Sequence, residues 1–416
     1  METILFIAYL IFFSLLITRV KFFTDSGIDK KILLGLFILK VAVALVYGWF
    51  YNLPQYDGKN DTWQFFYLSK PETQLLLKDP WGFLKDLFSY GYDKSGNLFS
   101  GVSSYWNNLK TNAFTKLLAI INVFTGTDYW VDIIWVTFLY FFGPVAFYRI
   151  IQKHVKAPKL ILIAAVFCLP SFIFWYSGLH KDGLIFSAFC MAVFYFDKMV
   201  EEKRFIVSSG VTMLLSLVIV FAFRNYLVLL LMPALLVWWL CEKYPSKKIL
   251  IAVSIYMVCT AIFFISPFIN FSLDFPGYVI SKQNEFRGLE GNSQIMLPPL
   301  RPTFTGFIRF LPYALDISVL RPHINEIDNP AYWPFIGESI FLWGWIAVAL
   351  FKKWFYPSKI SLPASGFIIF CYCFSISLLI LSGYTVTLTA AIVRYRSFAF
   401  PLIFAPIAGI FSKSEK

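Results

Sequence analysis

Residues 249–268, ILIAVSIYMVCTAIFFISPF, run without a single charged side chain. A bilayer core of about 30 Å needs roughly 20 apolar residues in a helix, and lipid offers the backbone no hydrogen bonds of its own. The stretch therefore reads as a membrane-spanning helix, and it has many counterparts. Comparable runs fall near 3–20, 32–51, 132–151, 158–177, 183–199, 205–223, 226–242, 248–268, 335–351, 361–383 and 397–412. The chain of 416 residues is 58% hydrophobic and only 14% charged, where a soluble domain carries about 25% charge. The expectation is an all-α polytopic membrane protein with about eleven transmembrane helices. Residues 1–416 read as a single integral membrane domain.

Charge then suggests a topology. Lys and Arg number 36 against 24 acidic residues, for a net charge of +12. In a soluble chain such an excess points toward nucleic acid; here it is expected to orient helices and to meet lipid headgroups, and no nucleic-acid partner is expected. Basic linkers at 19–31, 149–159, 198–204, 243–248 and 352–359 share one side if the N-terminus is outside and the C-terminus cytoplasmic. That alternation requires residues 113–124 not to cross, and so short a run suits a re-entrant or interfacial placement. The first run lacks a charged leader and a small-residue cleavage site, so it reads as a retained helix. The expected location is the cell inner membrane.

The outer side then collects two long loops, 52–131 and 269–334, expected to form the extracytoplasmic site and to carry amphipathic helices. LLLKDPWGFLKDLF, residues 75–88, has the pattern of a helix lying in the membrane plane. The six cysteines lie in or beside apolar runs, where packing explains them. No Walker loop, GxSxG, HExxH or dinucleotide fingerprint occurs. No metal and no cofactor are expected.

Arginine is the informative residue outside. Arg224, Arg287, Arg301, Arg309, Arg321, Arg394 and Arg396 all map there, against the topogenic bias. A guanidinium holds phosphate oxygens in a fixed fork, so a lipid diphosphate is a natural partner. Snorkelling to headgroups or pairing with Asp and Glu is the competing reading for any one of them.

Three segments carry the remaining candidates. FIFWYSGLHKDGLIF, residues 172–186, places Lys181 and Asp182 at a hairpin between apolar runs. There Asp182 is expected to cap the next helix and leave Lys181 to face substrate. SVLRPHINEIDNPAYWPFIGE, residues 318–338, groups Arg321, His323, Glu326, Asp328 and Glu338. His323 or Glu326 suits a general base, although a lone loop histidine is more often a plain surface residue. Glu338, one turn into an apolar run, calls for a cationic partner. YDGKNDTWQFFY, residues 56–67, offers Asp57 and Asp61 as a base or as sugar-hydroxyl contacts, with a solvated turn as the alternative.

On WYSGLHKDGLIF at 175–186, FRNY at 223–226, LRPHINE at 320–326 and VRYR at 393–396, the chain resembles bacterial surface-polysaccharide membrane proteins. The likeness is to the O-antigen polymerase (Wzy-like) type and particularly to its EpsG-like branch. It differs at His180, where that family often has small or polar residues, and in its long first loop. The resemblance implies metal-independent, inverting transfer of a glycan from a polyprenyl diphosphate on the outer face of the inner membrane. On that reading Lys181, Arg224, Arg321, Arg394 and Arg396, with Tyr395, bind the lipid-linked donor. His323, Glu326, Asp57 or Asp61 accepts the acceptor's proton, while Asp182 and Glu338 organise the site. Two other classes remain open: a flippase or transporter of lipid-linked sugars, and a non-catalytic partner of polysaccharide export proteins. A transporter calls for inverted repeats and charges near the bilayer midplane, whereas the charges read here cluster on one side.

Overall fold

A computed structural model describes residues 2–56, 60–89, 98, 104–204, 206–270, 273–289, 293–326, 330–355 and 365–411. Among them the chain is predominantly helical and forms no β-strand, only an isolated bridge between Gln294 and Leu388. The helices are α1 (Glu2–Arg19), α2 (Lys21–Thr24), α3 (Lys30–Phe50), α4 (Asp61–Lys78), α5 (Pro80–Ser89) and α6 (Tyr105–Thr125). Then come α7 (Tyr129–His154), α8 (Lys159–Phe167), α9 (Pro170–Trp175), α10 (Lys181–Glu202), α11 (Val207–Lys243) and α12 (Lys248–Ile269). The last are α13 (Phe275–Arg287), α14 (Phe304–Leu315), α15 (Trp333–Phe355), α16 (Gly366–Thr385), α17 (Thr389–Ser397) and α18 (Phe400–Ile407).

Among the described residues, 8 helices are long and apolar enough to cross a membrane, or 9 if the pair α17–α18, bent by 52°, is one broken span. Along α12 the residues Ile249, Leu250, Val253, Met257, Ile262 and Ile265 are all exposed. Apolar surface on that scale is untenable in water and natural against lipid. The protein is a polytopic, all-α, membrane-embedded chain.

The breaks between helices have local causes. Pro170 starts α9 after Cys168 and Leu169, so the run near 158–177 is two short helices. The two runs at 205–223 and 226–242 are the two helical parts of α11, which meet at a kink where Arg224 leaves helical geometry (φ −148°, ψ 78°). The segment 113–124 lies within α6, a helix started by Ser104, whose hydroxyl accepts from the Asn107 N–H at 3.3 Å. That helix ends at Gly126, whose left-handed φ of 72° suits a residue without a Cβ.

Contacts divide the chain into two compact units, Met1–Ile150 with Ile173–Asn225, and Ile151–Phe172 with Tyr226–Lys416. No linker marks the boundaries, which fall inside α7, α9 and α11. In the first unit Trp63 of α4 stacks on Tyr129 of α7 with ring centres 3.8 Å apart, and its indole N–H donates to the Gly48 carbonyl at 3.0 Å. The amphipathic stretch at 75–88 contributes α5, which turns Trp81, Leu84 and Phe88 outward. Its inner side is tied by the buried Lys116 of α6, whose ammonium meets Glu72 of α4 at 2.6 Å and Asp86 of α5 at 3.0 Å.

In the second unit Phe307, Phe310 and Ala314 of α14 pack with Val279, Leu300 and Tyr384. The Tyr384 hydroxyl donates to the Phe307 carbonyl at 2.7 Å. Gly383 of α16 lies against the Ala314 backbone so closely that any Cβ would collide. Trp238 of α11 packs against Phe367 and Phe370 of α16.

Lys116→Met should loosen the α4–α5–α6 group. It strands two largely buried carboxylates, and breaking such a pair costs about 3–5 kcal/mol. Thermal unfolding of the purified protein should show a clear loss, and an unchanged melting temperature would contradict this account of the clamp.

Candidate functional site

Each unit carries a charged cluster that includes candidate site residues. In the first unit it forms around the break between α9 and α10. Two sets of orphan backbone groups have to be satisfied there. At the carbonyl end, the buried Lys40 of α3 donates to the Tyr176 carbonyl at 2.7 Å and reaches the Ser177 hydroxyl at 3.2 Å. At the N–H end, the Nδ1 of His180 accepts from the Asp182 N–H at 3.1 Å. With Nδ1 acting as acceptor, the proton of a neutral ring sits on Nε2, which donates to Asp61 Oδ2 at 2.9 Å. The His180 carbonyl accepts from the Tyr140 hydroxyl at 2.7 Å, and Tyr140 packs on Gly183 in space a side chain would fill.

The expected cap at Asp182 is therefore corrected. His180 is the capping residue, and Asp182, one residue into the helical turn, instead binds Arg224 at 2.5 Å. The physical reason is burial: Asp182 is 1% exposed, and a carboxylate there requires a charged partner that a solvated cap would not. Lys181 lies with its ammonium 5.2 Å from the centre of the Phe65 ring. Asp61 heads α4 and keeps 47% of its side chain exposed. Asp57 lies outside the described residues.

In the second unit the cluster forms where α14 runs into a π-helical turn, Asp316–Leu320, followed by Arg321. Arg321 Nε donates to Asp316 Oδ2 at 3.3 Å, and its NH1 donates to Glu326 Oε1. His323 Nε2 lies 2.9 Å from Asp316 Oδ1, and the His323 N–H donates to Glu326 Oε2 at 2.8 Å. Asp316 thus holds both an arginine and a histidine. With the Nε2 proton directed at that carboxylate, Nδ1 is the basic nitrogen of a neutral His323.

Behind this ring lies Arg396 of α17, fully buried. Its NH1 donates to the Arg321 carbonyl, and its NH2 donates to the Ser339 hydroxyl at 2.5 Å. Glu338, expected to need a cation, accepts from the Ser171 N–H at 3.1 Å and interacts electrostatically with Arg396. Arg394 is half-buried, its carbonyl accepting from the Ser397 hydroxyl at 2.7 Å. Tyr395 sets its ring edge-on to Phe286.

Within the second unit the structure brings together Arg321, His323, Glu326, Arg396 and Glu338. Within the first it joins Asp61, Asp182 and Arg224 through His180. Sequence reasoning passed over Lys40, His180 as a participant, Asp316 and Ser339. Lys40 had a signal, a lone lysine inside an apolar helix; Asp316, beside Leu315, had none beyond its distance of one helical turn or so from Arg321. No family model, curated protein or solved structure matches the chain.

Asp182→Asn should destabilise the first unit strongly, because it leaves Arg224 buried without its anion, a loss of about 3–5 kcal/mol. Asp61→Asn, at an exposed position, should cost far less. Unfolding of both variants side by side tests the ranking, and the reverse order would overturn the ion-pair assignment.

Proposed function

We propose that the protein is a glycosyltransferase of the polysaccharide-polymerase type, moving a glycan from a polyprenyl-diphosphate donor to a hydroxyl acceptor. The observation that carries this reading is the group Asp316–His323–Arg321. A carboxylate orients an imidazole, and a guanidinium stands beside them, all three partly exposed in a membrane-embedded unit. The resemblance of WYSGLHKDGLIF, FRNY, LRPHINE and VRYR to the O-antigen polymerase and EpsG-like proteins points the same way.

In this mechanism His323 Nδ1 takes the proton of the acceptor hydroxyl. The freed oxygen attacks the anomeric carbon and forms the new glycosidic bond. The bond from that carbon to the diphosphate oxygen breaks, and its electron pair leaves with the polyprenyl diphosphate. Arg321 and Arg394 meet the charge that develops on the leaving group, an effect that grows where water is scarce. Arg396 holds the Arg321 backbone, and Glu326 holds Arg321 and the His323 N–H, so these two organise the site.

His323→Ala should lower glycan transfer by about 10²–10⁴-fold with the protein still inserted, as for loss of a general base. The check is the surface-glycan and lipid-linked-glycan profile of a deletion strain complemented with each variant. Accumulated lipid-linked donor is the expected phenotype. Wild-type glycan from His323→Ala, or an unchanged profile in the deletion strain, would refute the assignment.

The proposal includes an inner-membrane location, an external N-terminus, a cytoplasmic C-terminus and the outer placement of loops 52–131 and 269–334. Counting α8–α9 as one crossing, the two parts of α11 as two and α17–α18 as one yields the eleven runs read from the sequence. In a variant stripped of native cysteines, Thr305→Cys should react with an impermeant thiol reagent from outside and Ser246→Cys only after permeabilisation. The opposite pattern would sink this topology.

A further inference from the structure

The first unit contains a second polar cluster that the proposed chemistry leaves unused. It lies where α4, α6 and α7 pack, around Asp132, which is 0% exposed, and Asn122, which is 1% exposed. Asp132 Oδ1 accepts from the Thr125 hydroxyl at 2.5 Å. Among the described residues no group donates to its other oxygen, Oδ2.

Asn122 is oriented by its neighbours. The Ser69 hydroxyl donates to the Phe66 carbonyl at 2.7 Å, and the Thr73 hydroxyl to the Ser69 carbonyl at 2.8 Å. Each has thereby spent its one proton and presents lone pairs to Asn122. The Asn122 Nδ2 accordingly donates to Ser69 Oγ at 2.8 Å and to Thr73 Oγ1 at 2.9 Å. The carboxamide cannot be turned round without losing both bonds. Its oxygen, Oδ1, likewise has no donor among the described residues. Asn122 and Thr125 are three residues apart on α6 and so share a face, with Cβ atoms about 5–6 Å apart. Thr125 thus carries the Asp132 carboxylate on its hydroxyl and has Asn122 as a neighbour on the same face of α6, so the two buried oxygens without donors belong to side chains that flank one hydroxyl.

We propose that Asp132, Asn122 and Thr125 form a site for a dehydrated monovalent cation of the size of Na⁺. This departs from the sequence-based expectation of no metal. Hard cations take oxygen ligands of these kinds. One carboxylate balances one positive charge, whereas a divalent ion would leave a net charge buried. The local cation, Lys70, directs its ammonium over the Phe66 and Tyr67 rings at 4.6 and 5.6 Å, and Asp128 accepts from the Val131 N–H at 2.9 Å. A proton on Asp132 Oδ2 would answer the carboxylate alone; a cation answers both oxygens at once.

The test is thermal unfolding of the full chain in detergent, titrated with NaCl against choline chloride and KCl at constant ionic strength. Binding to the folded state alone should raise the melting temperature saturably with Na⁺, by about 2–5 °C. Asp132→Asn should abolish the Na⁺ response. Asn122→Ala and Thr125→Val serve in its place should Asp132→Asn fail to fold, and each should shift the midpoint to higher Na⁺. No Na⁺-dependent shift in the wild type, an equal shift with all three salts, or an undiminished Na⁺ response in the variants would overturn the proposal.

Discussion

A charge inside a helical membrane protein has to bring its partner with it, and that requirement shapes this chain at each interruption of its helices. Removing a carboxylate or ammonium from water costs several kcal/mol even after relaxation. Lys40 recovers part of that cost from the Tyr176 carbonyl left over at the end of α9. Arg224 recovers it from Asp182, and Arg396 from the Arg321 carbonyl, Ser339 and the field of Glu338. Each partner stands tens of residues away in sequence. The breaks at 176–180 and at Arg224 are therefore tertiary features, held by side chains from other helices rather than by local turn chemistry alone.

That distinction explains what could be read from the sequence. The apolar runs announced the helices well, since α1, α3, α7, α10, α12 and α15 fall close to the expected spans. Arg224 divided the apolar stretch into the runs 205–223 and 226–242, and the two parts of α11 meet at a kink there. The charged hairpin at 177–182 was equally visible as a feature but not as a mechanism. Asp182 beside a helix start has the local signature of a cap, yet burial against Arg224 gave it another task and passed the cap to His180. Pairings across such sequence separations leave no periodic trace, so local reasoning had no means of preferring His180. In the second unit Arg321, His323 and Glu326 were legible as a group because they are close in sequence. Asp316, which joins Arg321 to His323, became apparent only once the π-helical turn placed it beside them.

The same accounting constrains the proposed chemistry. Arginines mapped outside the membrane suggested a surplus of positive charge, whereas in the fold Arg224 and Arg321 already hold carboxylates. Arg224 is 9% exposed and its anion 1%, so displacing Asp182 would leave a carboxylate buried without a cation. Arg321 differs, because Asp316 and Glu326 are partly exposed and can be compensated by solvent. A diphosphate that takes Arg321 from Asp316 leaves that carboxylate with His323 as its remaining partner. In the proposed reaction donor binding would thereby strengthen the contact that orients the imidazole ring of the base. The exposure of the two carboxylates, rather than the number of arginines, makes the second unit the better place for an anion to bind and for a proton to be taken.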